Sequence, residues 1–283
     1  MKIYSGTANL ATDYKSLLRM TTESNPIKFS VIIAAYNAEQ KIARTLNSVL
    51  AQSYKDYENI VVDDASKDGT SALLEKQFGD KIRLIKKVTN SGSSIARNTG
   101  MDAASGNYFA FLDADDVWHK DKLALAATIL AANPSISLFY HPFTQEDIVN
   151  KRLPENITVY KLPFIKLLPA NIIATSCAVI RNDPAFRFDP VMRYTEDYDL
   201  WLRLGYKHKL YFTNIPLTQI FRPFTTDGGI SSNRWKMRKG EMRAYTKLIR
   251  LNPLFFPLLP ALVLSSLGKY LFKSLAMPKR KKE

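Results

Sequence analysis

Four short apolar runs, at residues 29–35, 59–62, 82–85 and 108–112, alternate with stretches of helical period, and this alternation restricts the fold more than any other feature of the chain. The runs are short, rich in β-branched and aromatic residues and bounded by turn residues, so they read as strands. Between them, Ile42, Leu46, Val49 and Leu50 share one helical face, Leu73, Leu74 and Phe78 lie in a second helix, and Ile95 and Met101 in a third. The expected fold class is α/β: a mostly parallel sheet flanked on both faces by helices. Another helix is expected over residues 120–133, stopped by Pro134. Beyond it the pattern loosens into strands near residues 137–140, 172–180 and 209–213, with a helix beginning near Glu196. No linker separates this half, which is expected to complete the same sheet.

In an open α/β sheet ligands bind outside the C-terminal ends of the parallel strands. At those ends the chain carries Tyr36 and Asn37, then Asp63 and Asp64, then Asp113, Asp115 and Asp116. Three carboxylates within four residues repel one another unless a cation sits among them, and a hard divalent ion with oxygen ligands is the usual solution. An isolated Asp-x-Asp-Asp is equally a solvated acidic turn that caps the next helix. Asp64 could accept a hydrogen bond from a base, and Tyr36 could stack on one. Arg97 and Asn98 fall near the start of the third helix, where free N–H groups favour an anion; Arg97 could fork onto a phosphate or pair with one of the aspartates. Neither a Walker lysine loop nor a Gly-x-Gly-x-x-Gly turn is present, so a P-loop nucleotidase and a dinucleotide-binding dehydrogenase are unsupported. A metal-bridged diphosphate carrying a nucleoside remains. A second acidic cluster, Glu196, Asp197 and Asp199, opens a helix whose apolar face includes Leu200, Trp201 and Leu204; such acids either complement the helix dipole or supply a general base. His119, His141 and His208 share no spacing and read as surface or structural residues.

Taken in order, residues 31–37, 61–70, 90–92 with 96–100, 112–118 and 196–201 resemble the motifs of glycosyltransferase family two, over roughly residues 29–222. The resemblance implies the GT-A fold and an inverting transfer from a nucleotide sugar, with UDP as the expected nucleotide, to a hydroxyl of a glycan or lipid-linked acceptor. It places Ala35, Tyr36, Asn37, Glu39, Asp64, Arg97, Asp113 and Ala114 around the donor, Asp115 on Mn²⁺ or Mg²⁺, and Asp197 as the base that deprotonates the acceptor. Two departures stand out: Ala34 where the family usually has proline, and Arg222-Pro223-Phe224 where it often has Arg-x-His. A sugar-nucleotide nucleotidyltransferase is the alternative enzyme, although it needs a Gly-rich basic loop after the first strand, which residues 36–40 do not form. A basic nucleic-acid-binding protein is the third reading, without zinc-finger spacing, RNA-binding aromatics or repeats to support it.

Charge bears on where the chain works. Net charge is +14. Residues 233–283 hold 13 Lys/Arg against two Glu, whereas residues 1–232 hold 27 against 24 acids. The expected organisation is an N-terminal extension (1–28, with a helical candidate around Tyr14, Leu17 and Leu18), a catalytic domain (29–232) and a basic amphipathic tail (233–283) that lies on an anionic membrane surface. In that tail Trp235, Met242, Tyr245, Leu248 and Ile249 share a helical face expected to meet lipid. Residues 254–267 are uncharged but only about 21 Å long as a helix, short of a ~30 Å hydrocarbon core. Pro257 and Pro260 interrupt them, and Lys269 and Lys273 follow, so dipping into one leaflet is expected rather than spanning, with packing on the catalytic domain as the alternative. With one cysteine, Cys177, and no apolar stretch after Met1, the expected place is the cytoplasm, peripherally on the inner face of the membrane.

Overall fold

The computed structural model describes residues 10–13, 27–149, 151–221 and 233–276. The expected alternation is present. Strand β2 (Phe29–Ala35) leads to α1 (Ile42–Leu50), β3 (Tyr57–Asp63) to α2 (Thr70–Phe78), and β4 (Arg83–Lys86) to α3 (Ser93–Asp102), before β5 (Tyr108–Asp113). After β6 (Val117–Trp118) come α4 (Lys122–Ala132), β7 (Ile136–Tyr140), β8 (Phe143–Thr144), β9 (Asn156–Leu162) and β10 (Ala178–Arg181). Then follow α5 (Glu196–Lys207), β11 (Lys209–Thr213), β12 (Thr218–Gln219), α6 (Arg234–Leu251), a 3₁₀ segment (Pro253–Leu258) and α7 (Leu259–Ala276).

Nine strands form one sheet in the order β1-β9-β11-β7-β10-β5-β2-β3-β4, where β1 is Leu10–Asp13. The pairings run β4, β3, β2, β5, β7, β11 and β1 in one direction and only β9 and β10 against it. The sheet is thus mostly parallel in direction. Side chains alternate across it with a period of two. Val31 and Ile33 join Ala110 and Leu112 under α1, α2 and α4. Ile32, Phe109 and Phe111 face the opposite layer, with Trp201 of α5 and Tyr245 of α6. Both faces are covered, which explains why the central strands are almost uninterruptedly apolar.

Three expectations change. Part of the N-terminal extension is an edge strand, β1, antiparallel to β9; the helical candidate at Tyr14, Leu17 and Leu18 lies outside the described residues. Of the strand expected over 172–180 only the last three residues join the sheet, in β10, because side chains take the preceding carbonyls. Trp201 Nε1 donates to the Ile173 carbonyl at 3.1 Å, and Trp118 Nε1, Lys122 Nζ and Thr218 Oγ1 donate to that of Ser176. The third change concerns the tail. Of the α6 face expected to meet lipid, Tyr245 and Leu248 pack instead on α5, buried with Ala244 in the core that holds Tyr198 and Trp201, while Trp235 stays 52% exposed.

Candidate active site

In-register pairing aligns the tips of the central strands. Ala35 lies opposite Asp63 and Ala34 opposite Asp113, so the loops that follow open on one crevice. The first two loops brace each other. Asn37 Oδ1 accepts from Lys67 N at 2.8 Å, Glu39 Oε2 from Gly69 N at 3.0 Å, and the buried Ala35 carbonyl from Asp64 N at 2.8 Å. Tyr36 projects from this brace, 45% exposed. Asp64 is buried: its carboxylate accepts from Ser91 N and Oγ and from Gly92 N at 2.7–3.1 Å, tying the second tip to the start of α3. Its carboxylate therefore has protein partners already, a role in shaping the crevice that sequence did not show.

The three aspartates after β5 separate. Asp113 accepts from Arg97 Nη2 at 2.8 Å, and its N–H donates to Ser176 Oγ at 3.0 Å. Asp116 turns inward, buried, and accepts from the Ser176 hydroxyl at 2.5 Å. Burial, with the charge of Asp113, pushes its carboxyl up to about 8 against that hydrogen bond. Asp115 stays at the edge, with Lys41 Nζ at 3.7 Å. Arg44 donates to the Asp115 carbonyl at 3.2 Å and Thr45 Oγ1 to that of Ala114 at 3.0 Å, which fixes the turn from α1. Among the described residues no group of three or more His, Cys, Asp or Glu converges as a metal site. Asp115 and Asp113, with side chains 38% and 41% exposed, still fit an ion that takes its other ligands from a diphosphate and water, as Mg²⁺ commonly does.

Arg97 joins this edge to the second acidic cluster. Buried, it reaches Asp113 with one nitrogen and Glu196 Oε1 with another at 3.0 Å, and its guanidinium lies 5.4 Å from the Phe188 ring centre. Burial alone would lower its pKa, but Asp113 and Glu196 outweigh that and hold it above the usual arginine range. The structure thus makes the ion pair, one of the two roles open to Arg97 from sequence. Beside Glu196, Asp197 is half-buried at the start of α5. Its Oδ2 accepts from Asn171 Nδ2 at 2.9 Å and from Thr175 Oγ1 at 3.3 Å. Burial and the neighbouring Glu196 push its carboxyl up to about 6, against Asn171 and Arg97, which favour the charged form. That is the protonation behaviour of a base working near neutral pH.

Asn37, Ala65 and Thr195 have φ of 49°, 61° and 56°, the three non-glycine residues with positive φ among those described. All border this crevice. Such conformations are costly and persist where the surroundings over-determine them, commonly at functional sites. Asn171 and Ser176 were not singled out from sequence, and Ser91 entered only within the motif at residues 90–92. Lys41 and Arg44, three apart at the start of α1, offered a helical-spacing signal; Asn171, 26 residues from Asp197, offered none.

Comparison with known proteins identifies the family and the fold. Glycosyl transferase family 2 matches residues 30–187. Over 232 residues the chain is 32% identical to the putative teichuronic acid biosynthesis glycosyltransferase TuaG of Bacillus subtilis, covering 79% of this chain and 89% of that protein. It is 30% identical over 213 residues to the UDP-Glc:alpha-D-GlcNAc-diphosphoundecaprenol beta-1,3-glucosyltransferase WfgD of Escherichia coli, covering 74% and 82%. In fold it resembles the mannosyltransferase PcManGT of Pyrobaculum calidifontis, solved with GDP-Man and Mn²⁺ (TM-score 0.63, 20% identity, 94% and 83% covered). It also resembles S. aureus TarS in complex with UDP-GlcNAc (TM-score 0.59, 20% identity, 86% and 80% covered). The strand order, the acid-tipped crevice and the match over more than half of its length together show that this GT-A chain is a glycosyltransferase and belongs to glycosyl transferase family 2.

Proposed function

We propose that the protein is an inverting glycosyltransferase that moves a hexosyl or N-acetylhexosaminyl group from a UDP-sugar to a hydroxyl of a lipid-linked glycan during cell-surface polysaccharide assembly. It works at the inner face of the membrane, with residues 29–232 as the catalytic part and 233–283 as the membrane-associating part. The observation that carries this reading is Asp197, held by Asn171 and Thr175 with its carboxyl pushed up to about 6, across Arg97 from the aspartates at the strand tips. Inversion needs a base on the acceptor side and charge neutralisation on the opposite, leaving-group side, and the two acidic clusters divide in that way. Tyr36 offers an exposed ring to the nucleobase, while Asn37, Glu39 and Asp64 hold the loops around it. Asp115, with Asp113 beside it, would hold Mn²⁺ or Mg²⁺, which supplies positive charge to the diphosphate. Asp197 takes the acceptor proton, and Arg97 holds Glu196 and Asp113 in place on either side of it. The names of TuaG and WfgD support the polysaccharide setting, the UDP donor and the diphospholipid acceptor.

The test is transfer by the full-length protein from a panel of UDP-sugars to a diphosphate-lipid-linked sugar, with Mn²⁺ or with EDTA, and the anomeric configuration of the product read by NMR. The expected product is inverted, and Asp115→Ala is expected to lower transfer by at least about 10²-fold with its thermal midpoint unchanged. A retained configuration overturns the single-displacement mechanism. Full turnover of the wild type in EDTA overturns the metal assignment.

A further inference from the structure

The C-terminal hairpin has an unusual distribution of polarity. α7 turns polar groups inward: Ser266 is fully buried and its hydroxyl donates to Glu241 Oε2 at 2.5 Å, while Lys269 Nζ lies 3.3 Å from the same oxygen and 2.7 Å from the Pro169 carbonyl. Outward it presents Leu264, Leu267 and Leu271, spaced three and four apart as one helical stripe. Leu254 and Phe256, in the 3₁₀ segment before it, are 82% and 64% exposed. Every exposed residue from 253 to 271 is apolar, proline or glycine. The water-facing side of an ordinary surface helix carries charges, and a contiguous apolar patch of this kind marks a contact surface.

We propose that this face docks on an anionic lipid bilayer, entering one leaflet with α7 lying along the surface. Charge selects the occupant. Lys236, Lys239, Arg243 and Arg250 are exposed on the adjoining α6, and the sequence after Ala276 adds Lys279, Arg280, Lys281 and Lys282. Anionic headgroups attract such a rim, whereas a second copy would bring two segments of the same strongly positive charge together. Length and composition would let Pro253–Leu271 cross a membrane, with a mean hydropathy of 1.5. Crossing would pull α7 off α6, breaking the Glu241 contacts and the Trp235–Tyr270 ring contact at 5.9 Å, so the docked form is the one the fold supports. Lipid therefore meets residues 254–271, the stretch the sequence also offered to one leaflet, and not Tyr245 and Leu248 of α6, which are buried.

Docking has a consequence that rests on the reading of a lipid-linked acceptor. Lys269 holds the Pro169 carbonyl, two residues before the Asn171 that positions Asp197, so the docked hairpin carries the base to the surface where such an acceptor lies. The test sediments full-length protein with vesicles of phosphatidylglycerol and phosphatidylcholine, or of phosphatidylcholine alone, at ~0.1 M and ~1 M salt. Binding to the anionic vesicles, weakened by salt, is expected. The double variant Phe256→Glu/Leu264→Glu is expected to reduce the bound fraction at least about tenfold, with an unchanged thermal midpoint because both side chains are exposed. Equal binding of wild type and the folded double variant overturns the proposal, as does binding with no preference for anionic lipid. A dimer that forms without lipid and is dissolved by the double variant also overturns it, assigning the face to a second copy. If the double variant unfolds, the lipid and salt dependence of the wild type decide alone. Transfer by the wild type to a soluble acceptor separates the two readings: its absence with vesicle binding intact overturns the enzymatic reading, and transfer by a wild type that does not bind anionic vesicles overturns docking.

Discussion

Neighbouring residues of the same type do different work in this protein. Asp113, Asp115 and Asp116 are nearly consecutive, yet one pairs with Arg97, one stays at the open edge and one is buried against Ser176. Glu196 and Asp197 are adjacent, yet the first is locked to Arg97 and Ser93 while the second faces Asn171. The pH profile follows from that second pair. As the proposed base Asp197 must be ionised to take a proton, and its pKa is raised, so transfer should climb with pH through about 6, well above an ordinary aspartate. Glu196→Gln removes the neighbouring negative charge, which should move this limb to lower pH; Asp197→Asn should abolish it and cut turnover by at least about 10²-fold. An acid limb that stays at the same pH in Glu196→Gln would show that another group controls the profile. The sign for stability is opposite to that for activity: the folded state favours protonated Asp197, so this carboxyl weakens folding as pH rises from about 4 through 6.

Helices and strands were legible where their period was simple. β2, β3 and β5 read clearly because strands buried on both faces are short and apolar, and α1 because its apolar residues fall on one face. α6 also had a legible apolar face, but periodicity identifies a face and says nothing of what covers it. The contact that positions it is a glycine. A Cβ on Gly240 would lie 2.3 Å from Thr195 Oγ1 and 2.5 Å from the Tyr194 carbonyl, so only glycine lets α6 reach the segment that leads into α5. Gly240→Ala should therefore displace α6 from Thr195, two residues before Asp197, the proposed base. The expected cost is about 1–3 kcal/mol of overpacking, partly offset by the roughly 1 kcal/mol that alanine contributes to a helix. A lower denaturation midpoint together with reduced turnover would bear this out, whereas an unchanged protein would mean that the helix shifts freely.

At the scale of the molecule, charge and core divide the C-terminal part differently. Residues 233–283 carry the excess positive charge, but α6 shares a core with Tyr198 and Trp201, while α7 rests on α6. Deleting residues 233–283 would uncover those two aromatics and remove Tyr245 and Leu248, each worth about 1.5–3 kcal/mol of burial. Against a total stability of about 5–15 kcal/mol, that loss should leave the truncated chain aggregated or with a sharply lower thermal midpoint. A soluble, cooperatively unfolding fragment ending at residue 232 would contradict this.

The sequence by itself determined the layered α/β class, the order of the first four strand and helix pairs, the acid-tipped edge and the family, because each is written in local period or in contiguous motifs. Tertiary structure decided the rest. Whether Arg97 meets a ligand or a carboxylate depends on Glu196, 99 residues away, and the state of Asp197 depends on Asn171 and on burial. The partner of α6 depends on a close approach that one glycine allows. Those outcomes come from which surfaces exclude water from one another, and no local pattern along a chain records that.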